Sequence, residues 1–206
     1  MLISITGNIG SGKTTLAQLL AKHLDFEAQF EDETQNPYVH DFYNDMSRWA
    51  FNLHVHFMVT GLQRTSLAQR SGMNVVQDQS LAAHLDIFAR NLHSSGILST
   101  RDFDTLHNLS QNVLNLVKPP DLVIYLKGSI SKIVDQIASR GRDYEDNIRI
   151  DYLRKLNERF DEWFANYSAG KKLEINIDEL DFIHNPEHLG IVLNKVKAEF
   201  YGLFVS

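Results

Sequence analysis

The chain begins with an apolar run, Leu2-Ile3-Ser4-Ile5, that leads straight into Gly7-Asn8-Ile9-Gly10-Ser11-Gly12-Lys13-Thr14 and then into leucines at helical spacing, Leu16, Leu19, Leu20 and Leu24. Strand, glycine loop and helix in this order fit the phosphate-loop pattern G-x-x-x-x-G-K-[ST], and that pattern calls for an α/β fold with a parallel sheet. Gly7, Gly10 and Gly12 let the backbone bend until successive N–H groups face one concavity. The helix that follows adds unpaired N–H groups and a positive dipole end at the same place. Lys13 supplies a mobile full charge for β- and γ-phosphates, and Thr14 offers a hydroxyl to Mg2+. Residues Gly7 to Thr14, with Thr15, are therefore the candidate site for a nucleoside triphosphate such as ATP.

Composition narrows what the triphosphate serves. At 206 residues and 43% hydrophobic content, the chain can bury a full core as a single domain over residues 1–206. A formal net charge of −6 gives no basic footprint, so no polymeric nucleic acid is expected as partner. Cysteine is absent, which excludes disulfides and thiolate metal sites. No apolar stretch is long enough to span a bilayer, and the first residues are too short for a leader, so a cytoplasmic protein without membrane contact is expected.

Along the chain, Phe26-Glu27-Ala28-Gln29-Phe30 alternates like a strand and delivers Glu31-Asp32-Glu33 to its end. Carboxyl ends of parallel strands carry ligand sites, which places these acids in the crevice of the glycine loop unless they form a solvated turn. From Ser47 to about Ala68 a long helix carries Ala50, Leu53 and Phe57 on one stripe and Phe51, Val55, Met58 and Leu62 on another. A helix apolar on two sides is buried or dimerises. His54 and His56 lie in it, where core or interface positions are the commoner fate of a histidine. Met73 to Asp78 reads as a short buried strand, followed by a helix capped by Ser80 with the stripe Leu81, Leu85, Phe88 and Leu92. Asp78 at that strand end suits Mg2+ or serves equally as a helix N-terminal charge.

Asp102 is expected to start a helix with Leu106, Leu109, Val113 and Leu116 facing inward, ended by Pro119-Pro120. Leu122 to Leu126 is apolar on both faces, as a strand near the centre of a parallel sheet is. The helix of Ile130, Ile133, Val134 and Ile137 leads to Arg140-Gly141-Arg142, two guanidinium forks able to clamp a transferring phosphoryl group, or a plain charge cluster. A further helix (Leu153, Leu156, Phe160, Phe164), a strand at Lys172 to Ile177 and a last helix (Leu189 to Phe200) complete the chain. Five strands alternating with helices make a five-stranded parallel sheet covered on both faces.

Taken together, the glycine loop, Phe30-Glu31-Asp32, Asn36-Pro37-Tyr38, Asp41-Phe42-Tyr43-Asn44-Asp45, Asp78, Arg140-Gly141-Arg142 and Leu156-Asn157-Glu158-Arg159 resemble the deoxynucleoside kinase family, in particular its bacterial deoxyadenosine/deoxyguanosine kinase branch. The likeness runs nearly end to end. It implies the P-loop kinase fold with an arginine-bearing lid at about 140–149, and transfer of the ATP γ-phosphate to the 5′-hydroxyl of a purine deoxynucleoside. It further implies that Glu31 is the general base, that Tyr43 and Glu145 hold the 3′-hydroxyl, and that Phe88 stacks on the base. Thr14 and Asp78 serve Mg2+, while Lys13, Arg140 and Arg142 act on the phosphates. Family members dimerise through their long helices, which implies a homodimer or a heterodimer with a homologue.

The chain also departs from the family pattern. Asp78-Gln79-Ser80 stands where the family carries an arginine in the middle position, next to Glu31 and the transferring phosphate. His54 stands at the base-reading glutamine, and His84 at an acidic or polar pocket position. A lost charge contact in a dry site typically costs about 10²–10³ in rate, so slow turnover or an altered substrate is expected. A rival reading is a nucleotide-binding partner subunit with weak catalysis, which keeping Lys13, Glu31, Tyr43, Asp78, Arg140, Arg142 and Glu145 together opposes. A nucleoside monophosphate kinase would need cations for its acceptor, and Glu31-Asp32-Glu33 is badly placed to provide them.

Overall fold

The computed structural model describes residues 1–31, 33–142 and 148–201. Its centre is a sheet of five parallel strands in the order β2-β3-β1-β4-β5, with β1 at Leu2–Gly7, β2 at Glu27–Gln29, β3 at Val75–Gln77, β4 at Leu122–Lys127 and β5 at Lys171–Asn176. β1 and β4 pair from Ile3↔Leu122 to Gly7↔Leu126. Ile3, Ile5, Leu122 and Ile124 are fully buried, because an interior parallel strand is covered by helices on both faces.

The strand order decides where the chemistry can sit. The chain leaves β1 through α1 (Lys13–Leu24) toward β2 and β3, then returns to the other side of β1 for β4 and β5. Such a reversal opens a crevice at the carboxyl end of the strand where it occurs. The glycine loop leaves β1 at that point, and the neighbouring ends of β2 and β3 deliver Glu31 and Asp78 beside it.

Helices form two further layers. α1 and α9 (Pro186–Tyr201) pack on the sheet with Leu16, Leu20, Val192 and Val196 at its face. α2 (Val39–Asn44), α3 (Met46–Ser71) and α6 (Thr100–Leu114) share a second core around Phe42, Leu53, Phe57, Met58, Leu92, Leu106 and Val113. α3 starts where the Asp45 side chain accepts from the Arg48 N–H, and it ends at Gly72, whose φ of 70° few other residues adopt. Among the described residues, no helix is long and apolar enough to cross a membrane.

Several local expectations are corrected. Ser99, not Asp102, begins α6: its hydroxyl accepts from the Asp102 N–H and donates to the Asp102 carboxylate. Leu109 and Leu116 do not face inward: Leu109 is 41% exposed because α6 turns its Leu106/Val113 side to the core, and Leu116, 72% exposed, lies in the turn beyond the end of the helix. The helix after Ser80 is not continuous. α4 (Leu81–Ala83) passes into a π turn at His84–Phe88 before α5 (Ala89–Ser94), so a single 3.6-residue stripe does not describe it.

α7 (Ile130–Arg140) and α8 (Ile150–Asn166) close the far side. In α8 the fully buried Phe160 stacks on Tyr125 of β4 and meets Phe88 edge-on at 5.9 Å. Phe160→Ala should destabilise the fold by about 3–5 kcal/mol, read as a lower urea midpoint with an unchanged slope.

Candidate active site

The glycine loop is shaped by two left-handed residues. Gly10 has φ 79° and Gly12, which precedes α1, has φ 89°; a Cβ on Gly10 would also stand 2.6 Å from Ile137 of α7. Only glycine meets both demands. Asn8, inside the loop and 1% exposed, is its brace: Nδ2 donates to Leu153 O and to Asn157 Oδ1 of α8, and Oδ1 accepts from the Ile9 N–H. Asn157 in turn donates to Gly128 O at 2.7 Å, tying α8, the end of β4 and the loop together. Lys13 Nζ donates to Gly7 O and Asn8 O, which holds the ammonium over the concavity.

On the other side of the loop lie the acids. Thr14 Oγ1 donates to Asp78 Oδ2 at 2.9 Å, and the Glu31 N–H donates to Asp78 Oδ1 at 2.7 Å. Burial pushes the Asp78 carboxyl above its ordinary range, against these two hydrogen bonds and the Arg64 charge, which pull it down. A hydroxyl and a carboxylate side by side at the phosphate loop are hard oxygen donors of the kind Mg2+ takes, and a bound cation would offset the burial cost. Among the described residues no group of three or more His, Cys, Asp or Glu could cage an ion. Mg2+ at nucleotide sites does not require one, since phosphates and water complete its shell.

The Glu31 carboxylate stands between two helices. Arg64 of α3 donates from Nη2 to Oε1 at 3.4 Å, and His84 Nδ1 lies 3.9 Å from Oε2. Beyond Glu31 opens a cavity lined by Lys13, Tyr43, Phe57, Gln79, Arg140 and Tyr152, among others. Deeper in it His54, His84 and Phe88 form its floor. The π turn brings His84 and Phe88 face to face at 4.9 Å, Phe57 meets His84 edge-on at 4.8 Å, and the His54 ring is 5.7 Å from His84. Both ring nitrogens of His54, Nε2 of His84 and Nε2 of Gln79 are buried without a hydrogen-bond partner among the described residues. Burial first, then the neighbouring charge of His84, holds His54 down to about 3; burial, Arg64 and Lys13 do the same to His84. Both rings are neutral at neutral pH.

A phosphate loop, a partly buried carboxylate and an aromatic cavity meeting at one strand edge define a P-loop phosphotransferase with a small organic acceptor. Comparison with known proteins makes this particular. The family model for deoxynucleoside kinase matches residues 3–201. The deoxyadenosine kinase of Dictyostelium discoideum is 34% identical over 201 residues, covering 98% of this chain and 80% of its own. The deoxyadenosine/deoxycytidine kinase of Bacillus subtilis is 29% identical over 199 residues, with 96% and 92% covered. The solved structure of deoxyadenosine kinase from M. mycoides with bound dCTP superposes with a TM-score of 0.85 at 24% identity, covering 96% of this chain and all of that one. The chain belongs to the deoxynucleoside kinase family, and its site is that of an ATP-dependent kinase.

Of the residues singled out from sequence, Lys13, Glu31, Tyr43, His54, Gln79, His84, Phe88 and Arg140 line the one cavity, with Ile9 and Gly10 at its mouth. Thr14 and Asp78 meet at its edge. Arg142 is half-buried next to the end of α7, whereas Asp32 and residues 143–147 of the lid, Glu145 among them, lie outside the described residues. Arg64, Phe57 and Tyr152 were missed. Phe57 had been assigned to the core stripe, and an arginine on an amphipathic helix carries no local signal.

The buried histidines make stability depend on acid. Unfolded, each takes up a proton near pH 6.5; folded, each resists until about 3, so the unfolded state binds more protons between these values and stability falls as pH drops. Each ring should remove up to about 1.4 kcal/mol per pH unit below 6.5. His54→Gln should flatten the decline in Tm between pH 7 and pH 5.

Proposed function

We propose that this chain phosphorylates the 5′-hydroxyl of a purine deoxynucleoside, with Glu31 as general base. The supporting observation is that Glu31 lines one cavity together with Lys13, Arg140, His54, His84 and Phe88. A primary alcohol is a weak nucleophile at neutral pH, and a carboxylate in reach orients it and accepts its proton. The bond from the 5′-oxygen to the γ-phosphorus forms as the bond to the β–γ bridging oxygen breaks, and the proton passes to Glu31. Loop N–H groups, Lys13 and the arginines Arg140 and Arg142 counter the charge spreading over the phosphoryl oxygens. Mg2+ held at Thr14 and Asp78 would neutralise phosphate charge.

The acceptor is read from the other end. By family resemblance Tyr43 and Glu145 would hold the 3′-hydroxyl, and Phe88 would stack on the base. Two neutral imidazoles each present one donor and one acceptor, assigned by tautomer. With the Gln79 amide they suit a base edge bearing either an amino or a keto group, so adenine and guanine are both acceptable. The partner-subunit alternative rests on Gln79, His54 and His84, and the cation that Arg64 places on Glu31 weighs against it.

Initial rates with Mg·ATP and each natural deoxynucleoside and ribonucleoside test the reading, with Lys13→Ala as the blank. Lysine-dependent transfer to purine deoxynucleosides is expected, and Glu31→Gln should lower kcat by about 10²–10⁴. ATP binding without transfer to any nucleoside would favour the partner-subunit reading instead.

A homodimer through α3 and α6 accompanies this function. Val59 and Leu67 on α3 and Leu109 on α6 are exposed apolar side chains on two helices packed together, and Leu116 just beyond the end of α6 is exposed as well. Leu67→Glu should convert a dimer to monomer in sedimentation velocity.

A further inference from the structure

Arg64 has no part in the site as motifs define it, yet it is placed where an arginine is hard to keep. Its side chain is 14% exposed and that of Glu31 16%. A guanidinium withdrawn from water has to be matched by partners, and its fork carries five donors for the purpose. Among the described residues Arg64 makes one hydrogen bond, from Nη2 to Glu31 Oε1, and its Nε has no partner. A residue holding α3 against the sheet would distribute its donors over backbone carbonyls, as Lys172 does with Phe164 O and Ala165 O.

The strand next to Glu31 supplies no charge of this sign. β2 and β3 pair Glu27↔Val75 and Gln29↔Gln77, and the same register carried two residues further sets Glu31 beside Gln79. Gln79 is 2% exposed and uncharged, and its Nε2 is unpaired in the cavity. The guanidinium bonded to the Glu31 carboxylate thus reaches it from α3, a different layer of the fold. That charge is also felt at Asp78 and His84, on the far sides of the same carboxylate.

We infer that Arg64 is a positioning residue for the candidate base: it fixes one oxygen of Glu31 so that the carboxylate meets the acceptor hydroxyl in one orientation, a task position 79 does not perform here. The final torsion of a glutamate is broad, so an untethered carboxylate samples many orientations. Misplacement of a reacting group by about 1 Å can cost 10²-fold in rate. Asp78 anchors the Glu31 backbone through its N–H, and Arg64 anchors the other end of the residue. The inference rests on the kinase reading above.

The test is a double-mutant cycle on the full-length protein with steady-state kinetics and thermal melting. Arg64→Met should lower kcat by about 10–10²-fold, with KM for nucleoside and for Mg·ATP within about threefold and Tm within a few degrees. Arg64→Lys, which keeps a charge without the fork, should recover part of the loss. Introducing Gln79→Arg into Arg64→Met should raise kcat at least tenfold more than the same substitution does in the wild type, because a cation at 79 then serves a carboxylate that has lost the Arg64 contact. An active wild type whose kcat survives Arg64→Met overturns the inference alone. So does a loss that tracks Tm, or one that Gln79→Arg repairs no better in the variant than in the wild type. A wild type that transfers phosphate to no nucleoside removes the kinase reading, and this inference falls with it.

Discussion

A kinase of this design has to hold a carboxylate next to a triphosphate, two negative groups that repel. At an effective dielectric of 20, like charges about 4 Å apart oppose one another by about 4 kcal/mol. The structure answers with fixed positive ends. The N-terminus of α1 and the glycine loop lie on one side, Lys13 stands over the loop, and Arg64 bonds the Glu31 carboxylate. Asp78 sits between, bonded to Thr14 and to the Glu31 backbone, so each acid is tied to a donor before any ligand arrives.

Those contacts depend on strand order. Because β3 lies between β2 and β1, the acids leaving β2 and β3 emerge side by side next to the loop leaving β1. The loop is held from the opposite side through Asn8 and Asn157, which connect it to α8 and to the end of β4. Both halves of the sheet thus grip the phosphate loop, and a shift in either would change the distance between the loop and Glu31.

The acceptor cavity follows a different rule. It places neutral imidazoles among aromatic rings, and both nitrogens of His54 and Nε2 of His84 have no hydrogen-bond partner among the described residues. Buried polar atoms without partners cost stability, and in native proteins they gather where a ligand supplies the missing bonds. The π turn serves the same end, since its wider winding lets His84 and Phe88 stack and face the cavity together.

Much of this was legible in the chain itself. The glycine loop, the five strands and the carboxylates at strand ends are local patterns: backbone bending, alternation and strand termini are set by neighbours in sequence. The sequence also marked Gln79, His54 and His84 as departures, because each differs in charge or hydrogen-bonding capacity from the residue the pattern asks for. Other features needed the third dimension. That Leu109 and Leu116 face outward, that a π turn interrupts the helix after Ser80, and that Arg64 reaches Glu31 across 33 residues of chain all depend on how layers pack. A helical period states which residues share a face but not which face the core takes, and a charge on that helix shows no partner until the fold brings one beside it.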